Sequence, residues 1–161
     1  MNTPTVTGYC YCGGVRFTVN TKEQGVNSYC HCQSCRRAHS APMYQSCFVP
    51  VSSFQIVKGK ELIKEYAATP EKINTRGFCS NCGSRIYAKL KNFMSDRIGF
   101  YPALLEEHVQ HNLPAAFKPQ LHNRCKEAVL NLEALADGLP RIEGEDFSQK
   151  KEWFEQNSSS V

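Results

Sequence analysis

The sequence predicts a mostly β fold of short antiparallel strands with few short helices, and three observations carry that expectation. Apolar residues alternate with polar ones in short runs, turn-forming stretches separate the runs, and helical periodicity is sparse. Val15, Phe17 and Val19 alternate with polar neighbours, the period of a half-buried strand. Similar candidates follow at Cys47–Val49, Phe54–Val57, Leu62–Tyr66, Arg85–Leu90 and Arg97–Tyr101, with Lys58-Gly59-Lys60 as one of the turns. One helical turn is expected from about Ser34 through Arg36–Ala38, stopped by Pro42, and another over Pro102–Gln110. Over Cys125–Ala136 apolar residues recur at helix-like intervals until Asp137-Gly138-Leu139-Pro140 cuts them off, and strand and helix both stay open there. Phe147, Trp153 and Phe154 can pack as a terminal helix, and the end from Gln156 to Val161 is expected to fray.

At 161 residues, with 41% hydrophobic and 21% charged side chains, the chain has the size and balance of one globular domain. That domain is expected over residues 5–147, with 148–161 as a tail, since nothing in between marks a boundary. No apolar run approaches the ~20 residues of a membrane span. Met1 to Tyr9 has neither the basic start nor the apolar segment of a secretion signal, so a cytoplasmic, reducing setting is expected. The net charge of +4 is spread along the chain, Arg36–Arg37 and Lys89/Lys91 being its nearest approach to clusters. A nucleic-acid footprint needs basic residues gathered on one face, so a solvated surface is the better reading.

Nine cysteines are many for such a chain, and an odd number leaves one outside any complete set of disulfides. In a reducing compartment clustered thiols are more often metal ligands than bridges. Seven of them fall into three groups: Cys10-Tyr11-Cys12-Gly13-Gly14, Cys30-His31-Cys32-Gln33-Ser34-Cys35 and Cys79-Ser80-Asn81-Cys82-Gly83. The C-x-x-C-G spacing of the last lets two sulfurs converge on one ion while glycine accepts the backbone angles after a tight turn. A closed structural zinc site needs four ligands, and Cys10 and Cys12, sharing one face of an extended segment, are the natural second pair. Two unconnected redox pairs are the plainer alternative.

The middle group behaves differently. If a helix starts near Ser34, C-x-C-x-x-C brings three sulfurs round one ion and leaves a tetrahedral zinc with a free corner for exogenous chemistry. The helix start also favours thiolate at Cys32 or Cys35. His31 alternates away from Cys30 and Cys32, which suits a supporting or surface role. His39 lies beyond the helical turn, where it is either a fourth ligand, a proton carrier or an ordinary histidine. His122 sits in a loop-like stretch and could line a pocket. Arg36 and Arg37 suit either a carboxylate-bearing ligand or an acidic neighbour. Cys47 and Cys125 have no partner at ligand spacing and read as buried small apolar residues.

Taken together, Gly8-Tyr9-Cys10-Tyr11-Cys12-Gly13-Gly14-Val15-Arg16-Phe17, Cys30-His31-Cys32-Gln33-Ser34-Cys35-Arg36-Arg37, Phe78-Cys79-Ser80-Asn81-Cys82-Gly83-Ser84 and the closing Asp137-Gly138-Leu139-Pro140 resemble the glutathione-dependent formaldehyde-activating enzyme family. That family includes the centromere protein V type domain. The resemblance implies a β-tent zinc-binding fold with two Zn2+ per chain. A structural zinc would be held by Cys10, Cys12, Cys79 and Cys82, and a catalytic zinc by Cys30, Cys32 and Cys35. It implies a carbon–sulfur lyase of the S-(hydroxymethyl)glutathione synthase type, acting on formaldehyde and a small thiol, glutathione or its adduct. The chain departs from the family pattern after the two arginines, where Ala38-His39-Ser40-Ala41-Pro42 alters the wall of the open site. A non-catalytic zinc-binding interaction module, and a thiol redox or metal sensor, are the alternative readings.

Overall fold

The computed structural model describes residues 4–68, 73–91, 94–106, 112–144, 152–153 and 155–156. It is mostly β. In chain order the elements are β1 (Thr5–Tyr9), β2 (Arg16–Asn20), β3 (Val26–Cys30), the helix α1 (Gln33–His39), β4 (Tyr44–Pro50), β5 (Phe54–Lys58) and β6 (Ile63–Ala67). They continue with β7 (Asn74–Cys79), β8 (Arg85–Leu90), β9 (Arg97–Phe100), β10 (His122–Asn123) and β11 (Arg141–Ile142), joined by several 3-10 turns. Among the described residues no helix is long and apolar enough to cross a membrane. The chain divides into two compact units, Met1–Gly25 with Cys47–Lys118, and Val26–Ser46 with Pro119–Val161.

The first unit is built from antiparallel pairs. β2 lies between β1 and β5, and from the Cys47–Pro50 end of β4 the order runs through β9, β8 and β7 to β6. Val15, Phe17 and Val19, marked by alternation, are fully buried. Phe17 stacks on Phe54 with centroids 5.0 Å apart, and Phe117 meets Phe100 edge-on at 5.1 Å, forming an aromatic centre that supplies much of the buried apolar area. Cys47 is packed into this core as an apolar residue.

β1 and β7 escape a reading from periodicity for a visible reason. Gly8 pairs with Phe17, Gly77 with Tyr87 and Gly99 with Phe48, and a methyl added at any of the three would sit within 3 Å of the facing ring. An aromatic ring laid over a glycine in the neighbouring strand buries apolar area where the strand's own sequence shows no side chain. The pattern is in the pair, not in either strand.

In the second unit β3 lies between β10 and the start of β4, with β11 beyond β10, and the β3–β10 and β10–β11 pairs are parallel. α1 leaves directly from the end of β3. It ends at Ser40 in the left-handed region, two residues before the Pro42 that was expected to stop it. Cys125–Ala136, left open between strand and helix, is neither. It forms two 3-10 turns, Cys125–Glu127 and Leu132–Ala134. Asn131 caps the second, and the Arg141 guanidinium donates to the carbonyls of Leu132 and Leu135, which a continuing helix would have used itself. Of the expected helix over Pro102–Gln110, residues 102–104 form a 3-10 turn, Leu105 bridges back to Gly8, and 107–110 lie outside the described residues. In the expected terminal helix Trp153 is helical, while Phe147 and Phe154 lie outside the described residues.

Candidate metal centres

The first unit brings Cys10, Cys12, Cys79 and Cys82 together, with all four sulfurs within 4.8 Å of one another. Cys10 and Cys12 leave the end of β1, and Cys79 and Cys82 occupy the β7–β8 turn. Each pair is followed by a glycine in the left-handed region, Gly13 at φ 69° and Gly83 at φ 78°, where a residue with a Cβ would be strained. The two turns have parallel hydrogen bonds. Gly13 N–H donates to the Cys10 carbonyl and Gly83 N–H to the Cys79 carbonyl, each at 2.8 Å. Sγ separations of 3.5 Å for Cys10–Cys12 and 3.9 Å for Cys12–Cys79 bracket the ~3.8 Å that four sulfurs at ~2.3 Å from a tetrahedral zinc would show.

The thiols of this cluster are not equivalent. Burial pushes Cys79 up to about 11. Cys82 feels burial too, but the Ser84 hydroxyl and backbone and the Cys12 backbone outweigh it and bring it down to about 6. Ser84 Oγ accepts from Tyr11 N–H at 3.0 Å and from the Cys82 thiol at 3.3 Å. Cys12 is lowered by the Asn81 side chain and the Gly14 backbone. A divalent cation would let such unequal soft donors all ionise together.

The second unit holds the other cluster. Cys30, Cys32 and Cys35 are all buried, and their sulfurs likewise lie within 4.8 Å of one another. Cys30 closes β3. Cys32 is the N-cap of α1, its Sγ accepting from Cys35 N–H at 3.3 Å, so the first turn of the helix sets the distance between these two ligand atoms. Close contact with Cys32 and Cys35, then burial, hold the Cys30 thiol well above its ordinary value. Three buried soft donors and no fourth ligand group among the described residues suit a metal with an open position.

Residues 5–127 match the family described as glutathione-dependent formaldehyde-activating enzyme, and both cysteine clusters lie inside the match. The chain belongs to the glutathione-dependent formaldehyde-activating enzyme family. A crystal structure of a Rhodobacter sphaeroides protein is similar over 84% of this chain and 99% of that one, at 20% identity and a TM-score of 0.54, a likeness of fold.

In this member of the glutathione-dependent formaldehyde-activating family, the other residues singled out in sequence take definite places. His39 is not within reach of the three sulfurs; its ring stacks on Tyr44 with centroids 4.2 Å apart. Arg36 Nε donates to the His31 carbonyl at 3.0 Å, pinning the backbone between two cysteines, and Arg37 is exposed. Cys125 is half-buried, and burial raises its thiol.

His122 is not in a pocket-lining loop but fully buried in β10. Its Nε2 lies 2.7 Å from Asp137 Oδ2 and its Nδ1 2.9 Å from His31 Nε2. The Asp137 carboxylate accepts from His122 Nε2–H, and one proton is shared in the bond between His122 Nδ1 and His31 Nε2. Burial, then His122 and Arg36, lower His31 to about 4, so the His31 ring is neutral at ordinary pH. Sequence reasoning missed two neighbours of the cluster, Glu127 and Asn123. Glu127 Oε2 accepts from Gln33 N–H at 2.7 Å while its other oxygen is paired with Arg124, so a carboxylate sits on the first amide of α1. The acid–base spacing of Arg124 and Glu127 gave no local sign that it served a helix so far away in sequence.

Proposed function

We propose that this chain is a zinc-dependent carbon–sulfur lyase of the S-(hydroxymethyl)glutathione synthase type, acting on a glutathione adduct. It would carry two Zn2+, a structural ion on Cys10, Cys12, Cys79 and Cys82 and a catalytic one on Cys30, Cys32 and Cys35. The carrying observation is the contrast between a cluster of four sulfurs and a buried cluster of three in a member of this family. A zinc ion on three thiolates would supply ionisation of an incoming thiol well below its free pKa of about 8.5.

The chain's own residues supply placement. Cys30, Cys32 and Cys35 confine the centre to a buried corner at the start of α1. Arg36 and Glu127 hold the backbone on either side of Cys32 in one arrangement. The hydrogen-bonded chain Asp137–His122–His31 fixes the opposite side of the same segment. In the synthetic direction the thiol sulfur bonds to the aldehyde carbon, the carbonyl π pair moves to oxygen, and the proton lost by the thiol ends on that oxygen. Cleavage is the reverse. Most of the rate effect is then assigned to orientation and thiol ionisation.

The test is zinc per chain in protein purified without added metal, followed through a glutathione titration. Two zincs, of which glutathione perturbs one, are expected. Cys35→Ser should keep the fold, fall to one zinc and lose cleavage of the hydroxymethyl adduct down to its spontaneous rate. Two unresponsive zincs would favour a non-catalytic zinc-binding module instead, and undiminished turnover in Cys35→Ser would show that the reaction does not run through the three-cysteine centre.

A further inference from the structure

Among the described residues Asn123 is the one whose side-chain amide is fully buried with both its Oδ1 and its Nδ2 unpaired. An amide in that state disfavours the fold unless something pairs with it. Its position is set by β10, where Asn123 is in register with Cys30 and His122 with Tyr29. Residues in register on neighbouring strands share a face of the sheet, with side chains about 5 Å apart. The rings confirm the sides. Tyr29 and His31 each lie 5.2 Å from His122, so these three occupy one face, and Cys30 and Asn123 occupy the other. The carboxamide therefore stands beside the first sulfur of the three-cysteine cluster, and the Asp137–His122–His31 chain stands behind it.

We propose that Asn123 recognises the ligand at this centre, its Nδ2–H donating to the oxygen on the carbon that bears the ligand's sulfur. That oxygen gains electron density as the carbon–sulfur bond forms and loses it as the bond breaks, so a fixed neutral donor favours the addition step without itself exchanging a proton. The amide waits unpaired because its partner arrives with the substrate. The assignment rests on the reading of the three-sulfur cluster as an open thiol-binding centre.

Thioacetate and ethanethiol share the S–C–C skeleton and differ by an oxygen on the carbon next to sulfur. Both are titrated into the full chain with cobalt in place of zinc, and binding is read from the sulfur-to-cobalt charge-transfer absorption of wild type, Asn123→Leu and Asn123→Asp. The preference for thioacetate over ethanethiol is expected to fall about tenfold in Asn123→Leu, the size of one good hydrogen bond, and further in Asn123→Asp, with ethanethiol affinity held within about twofold. The melting temperature of Asn123→Leu should be no lower than that of wild type. An unchanged preference in the variants overturns the assignment to Asn123 while leaving the open centre standing. Should Asn123→Leu not fold, Asn123→Asp decides by the same ratio. If neither thiol alters the wild-type spectrum, the open-centre reading fails and this assignment fails with it.

Discussion

Glu65 shows how much one carboxylate can organise on a sheet surface. Its Oε1 accepts from the Tyr87 hydroxyl at 2.6 Å and from Lys89 Nζ at 2.7 Å. Lys89, then Tyr87, hold its pKa below the ordinary 4.5. The two bonds are not equal in worth. Lys89 and Glu65 side chains are 52% and 40% exposed, so their attraction is largely screened and contributes well under ~1 kcal/mol. Tyr87 is 8% exposed and its bond to Glu65 is partly buried, so this is the better shielded of the two. Tyr87→Phe should cost about 0.5–1.5 kcal/mol in urea unfolding at pH 7. Because the folded pKa of Glu65 is depressed, its contribution is present above pH 4.5 and is lost as pH falls through the lower folded value. The difference in stability between wild type and Tyr87→Phe should therefore shrink on acidification below pH 4.5; a difference independent of pH would show that Glu65 is not the partner that matters.

At the scale of an element, α1 is the informative case. Seven residues make too short a helix to persist alone, so its existence depends on what holds its start. Two groups do: Cys32 Sγ on Cys35 N–H and the Glu127 carboxylate on Gln33 N–H. The second also places a negative charge at the positive end of the helix. Glu127→Ala should destabilise the protein by about 1 kcal/mol, as loss of a capping partner does, and Glu127→Gln by less, since an amide oxygen still accepts. The same loosening should speed zinc loss from the three-cysteine centre to a chromophoric chelator and leave release from the four-cysteine centre unchanged. Equal release rates in wild type and Glu127→Ala would separate the cap from the metal centre.

For the whole molecule, the division into two units gives each cluster its own surroundings: four cysteines among the strands of one, three at the helix start of the other. Cys10 and Cys79 are buried in the same apolar cluster as Phe17 and Phe100, so a metal on the four sulfurs would tie distant strands into one core. Binding energy of this kind is folding energy. Cys79→Ser should lose the structural zinc and the cooperative melting transition together, by circular dichroism and metal analysis, whereas Cys35→Ser should lose one zinc and keep the transition. A Cys79→Ser protein that melts like wild type would contradict a structural role for the four-cysteine site.

The local patterns were legible without coordinates. Alternation over Val15–Val19, the helix start near Ser34 and the C-x-x-C-G and C-x-C-x-x-C spacings all concern atoms within a few residues of one another, where backbone geometry alone relates side chains. The same locality explains why His31 could be turned away from the cysteines by alternation, a placement matched by its stacking on His122. Strands carried by glycine were not legible, because Gly8 and Gly77 acquire their apolar cover from Phe17 and Tyr87 on the neighbouring strand. Nor were the supports of the three-cysteine centre. Glu127 reaches Gln33 across 94 positions and His122 reaches His31 across 91, and Asn123 meets Cys30 only through the parallel register of β10. Sequence determined which sulfurs converge within each motif, since spacing limits what a short turn can do, while the meeting of Cys12 with Cys79 across 67 positions belongs to the fold. Tertiary structure alone decided which buried acid, imidazole and amide surround them, since contacts between distant segments follow strand pairing and leave no period to read.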